Sequence, residues 1–99
     1  MEIQFDPDKD EANRQKHGIS LRRAVDIEWD TLLARPDVRH DYGEVREVGH
    51  GLIEERLYCV VFVRLGDSAF RIISLRRSNN REKRAYEHEK ATDHPADGR

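Results

Sequence analysis

The alternation of apolar and polar residues divides this chain into an N-terminal helical part and a C-terminal part made of strands. Asp6-Pro7 opens a helix over residues 7–17, because Asp caps a helix start and Pro fits the first turn, and Gly18 ends it. Ser20 caps a second, amphipathic helix. The first helix lacks an apolar stripe, which is unusual for a helix that packs on a small domain.

Short runs of strand-forming residues with a period of two predict the sheet. The predicted strands cover residues 2–5, 31–34, 44–51, 57–65 and 69–77, and a last helix covers 79–90. Short turns join the later strands, which makes them antiparallel. The sequence therefore predicts a two-layer α+β fold. Its antiparallel sheet has about four strands, two N-terminal helices pack on it, and a C-terminal helix follows.

The two central strands differ in how clearly they indicate a buried face. One face of strand 57–65 is wholly apolar and is assigned to the core beneath the helices: Leu57, Cys59, Val61, Val63 and Leu65. In strand 69–77, strict alternation places Arg71 on one face and Arg76 on the other. Gly49 is a candidate for a β-bulge in strand 44–51.

Length and composition narrow the class of protein. The chain has 99 residues and a net charge of −2, which fits one domain and excludes a globally basic nucleic-acid binder. We expect residues 1–90 to form the domain and 91–99 a disordered tail. The single cysteine and the absence of an apolar run of about 20 residues predict a cytoplasmic protein without a membrane partner.

Positive charge is concentrated at the junction of the last strand and the last helix. Residues 64–84 contain seven Lys or Arg and two Asp or Glu. This concentration favours a phosphate-rich ligand, and a solvated basic helix face is the alternative. The histidines show no metal-ligand spacing, so neither a metal nor a cofactor is predicted.

RNA suits such a surface because its 2′-OH is a built-in nucleophile and cleavage needs no metal. The reaction needs a base, cations around the phosphorane and an acid for the leaving oxygen. Arg46, Arg71 and Arg76 are candidates to hold the phosphate. The candidate bases are Glu44, His17, His40 and His50, and Tyr86 or a histidine is the candidate acid.

Several motifs, in order along the chain, resemble the BrnT toxin family over about residues 3–88. They are Phe5-Asp-Pro-Asp-Lys9, Asn13-x-x-Lys-His-Gly18, Glu44-x-Arg46, and Arg71-Ile-Ile-Ser-x-Arg76 followed by Glu82 and Tyr86. The resemblance implies a fold like the RelE ribonuclease toxins and RNA cleavage that inhibits translation. It also implies neutralisation by a BrnA-like antitoxin with a ribbon-helix-helix region, through which alone the complex contacts operator DNA.

The resemblance and the basic segment together give a set of candidate site residues. The candidate catalytic residues are Glu44, Arg46, Arg71 and Arg76. The candidate RNA-binding residues are Lys16, His17, Arg64, Ser74, Arg81 and Tyr86. Two rival hypotheses remain: a non-catalytic co-repressor within a DNA-binding complex, and a degenerate toxin that keeps only its fold and its partner.

Overall fold

The computed structural model describes residues 1–93, which form one mixed sheet with helical segments around it. In chain order the elements are β1 (Glu2–Gln4), α1 (Pro7–His17), two 3₁₀ segments (Leu21–Asp26 and Trp29–Thr31), β2 (Leu33–Pro36), β3 (Glu47–Ile53), β4 (Arg56–Arg64), β5 (Ala69–Arg77) and α2 (Asn80–Asp93). The predicted tail 91–99 overlaps the end of α2, and residues 94–99 lie outside the described residues. Within residues 1–93, no helix has the length and apolarity to cross a bilayer.

The sheet has five strands in the order β1-β5-β4-β3-β2, and its pairing is mixed. The predicted α+β class is confirmed and β2 to β5 are antiparallel, but a fifth strand pairs parallel, so the predicted sheet of about four antiparallel strands is corrected. β1 forms one edge of the sheet and pairs parallel with β5, with Glu2 opposite Ala69 and Gln4 opposite Arg71. Local patterns do not identify this partner because it is the last strand of the chain.

The prediction of two N-terminal helices packed on the sheet is also corrected. Only α1 is an α-helix, and Ser20 caps a 3₁₀ segment instead. Leu21, Ala24 and Ile27 are buried and lie three residues apart, which is the period of a 3₁₀ helix. Val25, which an α-helical period would bury, is exposed.

The main core lies on the face of β4 opposite to the predicted one. Tyr58, Val60 and Phe62 pack beneath the 3₁₀ segments, whereas Cys59 and Val61 line a cavity on the other face. Period two identifies the two faces of a strand but not which face carries the second layer. On β5, Phe70, Ile72 and Leu75 all reach this core face, although strict alternation would not place Leu75 with the other two.

A β-bulge in β5 breaks this alternation. Val61 pairs with Ser74 but the next residue, Phe62, pairs with Ile72, so Ile73 is an extra residue on β5. Because of it, Ile72 and Leu75 are both fully buried in the core. The bulge also places Arg71 and Arg76 on the same face, whereas strict alternation predicted opposite faces. The pairing of β3 with β4 is regular at Gly49, where no bulge occurs.

Polar side chains, rather than an apolar stripe, hold α1 against the sheet. β1 pairs with β5 only at residues 69–71, so it provides no partner for the backbone of Leu75. The Asn13 carboxamide takes the place of a neighbouring strand there. Its amide donates to the Leu75 carbonyl at 2.8 Å and its oxygen accepts from the Leu75 N–H at 3.1 Å. Asp10 similarly accepts from the Leu21 N–H at 2.7 Å and from the Ser20 hydroxyl. This explains how so polar a helix docks on a small domain.

Candidate functional site

The face of the sheet away from the core carries a cavity of about 720 Å³, called here the basic hollow. β3, β4 and β5 form its floor, and α1, the segment 35–39 and the start of α2 form its walls. Its cationic residues are Lys9, Lys16, Arg35, Arg39 and Arg76, and its acidic residues are Asp37 and Glu82. His17, His50, Cys59 and Ser74 also line it. The excess of positive charge makes this cavity suited to an anion.

A row of paired residues crosses the floor of the basic hollow. His50 on β3 pairs with Cys59 on β4, and Cys59 pairs with Arg76 on β5. Side chains that are paired across a sheet lie on the same face and close together. Residues 50, 59 and 76, far apart in the chain, thus form one cluster.

Glu82 lies over this row and joins β5 to α2. Its carboxylate accepts two hydrogen bonds from the Arg76 guanidinium, at 2.9 and 2.7 Å. It also accepts from the Asn79 N–H while the Asn79 side chain accepts from the Glu82 N–H, which is a capping box at the start of α2. The bonds from Arg76 are the largest reason why the pKa of Glu82 falls to about 2. Arg76 is thus held in place by a carboxylate of the same protein.

His50 is partly buried at the floor of the basic hollow. Its Nε2 has no hydrogen-bond partner within residues 1–93, and it lies 3.6 Å from Glu82 Oε2. Burial lowers the pKa of His50, and this effect outweighs the opposing effect of Glu82. A lowered pKa favours the neutral imidazole, which is the form that can accept a proton.

Lys16 and His17 form the rim of the basic hollow at the end of α1. Both side chains are exposed, because Gly18, with φ 72°, ends the helix directly after them. Partial desolvation of the imidazole is the largest cause that lowers the pKa of His17, followed by the positive charges of Lys16 and Arg76. These two predicted RNA-binding residues share the hollow with Arg76 and Ser74.

The end of β2 and the residues after it contribute two cations that sequence reasoning missed, Arg35 and Arg39. Arg39 donates two hydrogen bonds to the Asp37 carboxylate, both at 2.8 Å. These bonds are the largest cause that lowers the pKa of Asp37 and raises that of Arg39. The sequence Arg35-Pro36-Asp37 indicates only a strand end, and nothing in it shows that the segment folds over the sheet.

The other candidate catalytic residues lie in a neighbouring cavity of about 290 Å³, called here the side cavity. Glu44 accepts a hydrogen bond from Arg71, and its Oε2 lies 3.4 Å from Arg46 Nε. Arg71 is the largest cause that lowers the pKa of Glu44. Lys9 lines both cavities, so they adjoin. The structure therefore brings Arg76 together with His17 and His50, and Arg46 and Arg71 together with Glu44, whereas His40 lies outside the basic hollow.

Three predicted RNA-binding residues lie outside the basic hollow. Arg64 pairs with Glu47 and lies over the rings of Phe62 and Phe70, which belong to the core face. Arg81 is exposed in the first turn of α2. The Tyr86 hydroxyl donates to the Thr31 carbonyl at 2.7 Å and so fastens α2 to the rest of the fold.

Two comparisons with known proteins give a match. A family model described as the ribonuclease toxin BrnT of type II toxin–antitoxin systems matches residues 5–82. The crystal structure of the Brucella abortus ribonuclease toxin BrnT matches with a TM-score of 0.57 and 24% identity, covering 81% of this chain and 99% of that one. At this identity the structural match establishes a shared fold. A search of curated proteins gives no match.

Proposed function

The chain belongs to the BrnT family of type II ribonuclease toxins, and on this premise we propose that it cleaves RNA in the basic hollow without a metal ion. The observation that carries the proposal is the β5 bulge. It turns Arg76 toward the same face as His50, at the floor of a cavity with an excess of cations. Cleavage of a phosphodiester by the 2′-OH requires positive charge and a proton acceptor at the same place.

In this proposal, RNA phosphate takes the place of Glu82 as the partner of Arg76. A guanidinium binds two phosphate oxygens with the geometry it uses for a carboxylate. In the absence of RNA, Glu82 keeps the guanidinium oriented through two hydrogen bonds. When RNA binds Arg76, the Glu82 carboxylate still accepts a hydrogen bond from the Asn79 N–H at the start of α2. Replacing Glu82 by phosphate therefore does not leave this carboxylate without a partner.

His50 is the general base of the proposed reaction. Its Nε2 is buried beside Glu82 in the free chain, and in this proposal it becomes accessible when RNA phosphate displaces Glu82 from Arg76. Its neutral imidazole takes the proton of the 2′-OH, the 2′ oxygen bonds to phosphorus, and the bond to the 5′ oxygen breaks. The products are a 2′,3′-cyclic phosphate and a 5′-hydroxyl. Arg76 and Arg35 stabilise the added negative charge of the phosphorane, and the leaving oxygen takes its proton from Lys16 at the rim.

Glu44 is the competing candidate base, and its surroundings make it a weaker one. Its carboxylate is bound by Arg71, which lowers its pKa, and it lies in the side cavity. We propose that the side cavity binds the next phosphate along the RNA, through Arg46 and Arg71. This role keeps both arginines in RNA recognition and leaves proton transfer to His50.

A BrnA-like antitoxin is the proposed partner, and it neutralises the toxin by covering the basic hollow. Val38 and Val45 are 85% and 74% exposed in the loop beside this surface, and they would give the antitoxin apolar contacts. Operator DNA would be contacted through the antitoxin only. Because RNA is the proposed substrate, we propose that the chain acts in the cytoplasm.

The proposal is tested by mapping the RNA ends that the purified chain produces. We expect 2′,3′-cyclic phosphate ends, and we expect the rate to be unchanged by a chelator. Arg76→Ala should lower kcat/KM by about 100- to 1,000-fold, as the loss of a transition-state donor does in other enzymes. The matched control is Arg77→Ala, because Arg77 pairs with Tyr58 on the core side of the sheet and lies outside the hollow.

Three results would contradict parts of this proposal. Ends that carry a 5′-phosphate would exclude attack by the 2′-OH. Equal losses in Arg76→Ala and Arg77→Ala would show a general effect of charge instead of a defined site. A folded wild-type chain that leaves RNA intact, with and without ribosomes, would favour the co-repressor or the degenerate toxin.

A further inference from the structure

Three side chains of different chemistry meet at the floor of the basic hollow: His50, Cys59 and Glu82. One ligand atom from each, an imidazole nitrogen, the thiol sulfur and a carboxylate oxygen, lie within 4.8 Å of one another. The three residues come from β3, β4 and the first turn of α2, so three separate elements fix the group. All three line the hollow, which gives an ion a route from solvent.

The group contains a polar atom whose bonding is incomplete. His50 Nε2 is buried without a hydrogen-bond partner among residues 1–93, and the nearest carboxylate oxygen, on Glu82, lies 3.6 Å away. A buried nitrogen in this condition has lost its bonds to water and gained none from the protein. A ligand that bonds to this nitrogen would remove the deficit.

We propose that His50, Cys59 and Glu82 bind one thiophilic divalent cation, for which Zn²⁺ is the best fit. Nitrogen, thiolate and carboxylate donors are the set that Zn²⁺ uses, and hard cations such as Mg²⁺ avoid the thiolate. In a tetrahedral site with bonds of about 2.0–2.3 Å, ligand atoms are about 3.5 Å apart. The side chains therefore need to close by about 1 Å, and a fourth ligand such as water would complete the site.

The surroundings make this site conditional. Binding ionises the buried Cys59 thiol and releases one proton, because the thiolate is the form that binds the metal. The ion also competes with Arg76 for Glu82, to which Arg76 donates two hydrogen bonds. One bound Zn²⁺ in exchange for one proton adds a single positive charge near Arg35 and Arg76. Affinity should therefore be modest and should rise with pH.

Occupancy has a consequence that rests on the proposed function. The ion takes the nitrogen with which His50 would accept the 2′-OH proton, and it draws Glu82 away from Arg76. Zn²⁺ would therefore inhibit RNA cleavage, although cleavage itself needs no metal.

The metal site is tested by titrating the purified full-length chain with Co²⁺, which substitutes for Zn²⁺ and absorbs light. We expect the near-ultraviolet thiolate-to-cobalt band and the visible bands of a tetrahedral ion, displaced by Zn²⁺. Cys59→Ser should abolish the thiolate band. His50→Gln should weaken binding at least about tenfold, because even the loss of a hydrogen-bonding partner of a metal ligand costs about 10- to 100-fold in affinity. His88→Ala, at an exposed histidine of α2, is the matched control and should bind as the wild type does.

The outcomes separate the metal site from the nuclease. A chain that cleaves RNA but gives no thiolate band with Co²⁺ overturns the metal site alone. A chain that gives the band but cleaves no RNA overturns the proposed function alone. If Cys59→Ser fails to fold by circular dichroism, His50→Gln decides, and unchanged cobalt affinity there overturns the proposal. If the RNA cleavage rate is unchanged at Zn²⁺ concentrations that fully displace Co²⁺, the inhibitory role of the ion is overturned.

Discussion

The two faces of the sheet are both lined by apolar strand residues, yet only one of them is closed. On the core face, Trp29 stacks on Phe70 at 4.6 Å between ring centroids and meets the edge of Phe62 at 5.3 Å. On the other face, Cys59 and Val61 lie among Arg35, Arg76 and other charged residues, and a cavity remains. Closure therefore depends on what packs above a strand, since the strand's own pattern is apolar on both sides.

The comparison also shows how one extra residue assigns side chains to faces. Without Ile73 as an extra residue, the alternation of β5 would place Arg76 on the opposite face from Arg71. The bulge lets Leu75 complete the core while Arg76 enters the hollow. Packing and chemistry on β5 thus depend on the same local irregularity.

The largest expected effect comes from placing a carboxylate on each face of β4 in turn. Val60 is fully buried, so Val60→Asp should cost about 4 kcal/mol or more and unfold a domain of this size. Val61 is half-buried beside cations, so Val61→Asp should keep the fold. Thermal unfolding followed by circular dichroism measures both. If Val61→Asp also unfolds, the face of β4 that contains Val61 belongs to the core, as the sequence alone predicts.

The sequence predicts α1 and β5 well because their signals are local, whereas the predicted second helix is a 3₁₀ segment. Asp6, Pro7 and Gly18 fix the bounds of α1, and β5 has the predicted range Ala69–Arg77. The parallel partner of β1 and the filled edge at Leu75 depend on contacts between distant parts of the chain. No single pattern in one sequence reveals such contacts.

The candidate site shows the same division. Arg76, Lys16 and His17 are identified by motif and do share the basic hollow. Arg35 and Arg39 are missed because their segment reads only as a strand end. Which arginines of the basic segment share a face depends on the bulge, and a strict period of two assigns them wrongly.

The next effect tests whether α1 is held by its polar contacts. Asn13→Ala removes three hydrogen bonds and leaves the N–H and carbonyl of Leu75 buried without these partners. We expect a loss of about 2–3 kcal/mol in the free energy of unfolding. Gln15→Ala, at an exposed position of the same helix, should change it by less than about 0.5 kcal/mol. Urea unfolding measures both, and equal values would show that α1 docks by other contacts.

A smaller effect concerns the pH dependence of stability on the hollow side. The folded pKa of Glu82 is about 2 and its ordinary value is 4.5. Its ionised form therefore stabilises the fold fully above about pH 5, and this contribution is lost as the pH falls toward 2. Glu82→Gln keeps an acceptor at the start of α2 but does not titrate. We expect the stability difference between wild type and variant to shrink on acidification, and parallel pH curves would contradict the Arg76 pairing.

The smallest expected effect concerns Arg64, which the sequence places among the RNA-binding residues. Its guanidinium pairs with Glu47 and lies 5.5 and 5.6 Å from the ring centroids of Phe62 and Phe70, away from the hollow. Arg64→Ala should therefore cost about 0.5–1 kcal/mol in stability through the lost cation–π contacts. It should change the RNA cleavage rate by less than about threefold, because only long-range charge is lost. A tenfold slower rate in a variant of unchanged fold would mean that RNA extends around the sheet edge to the core face.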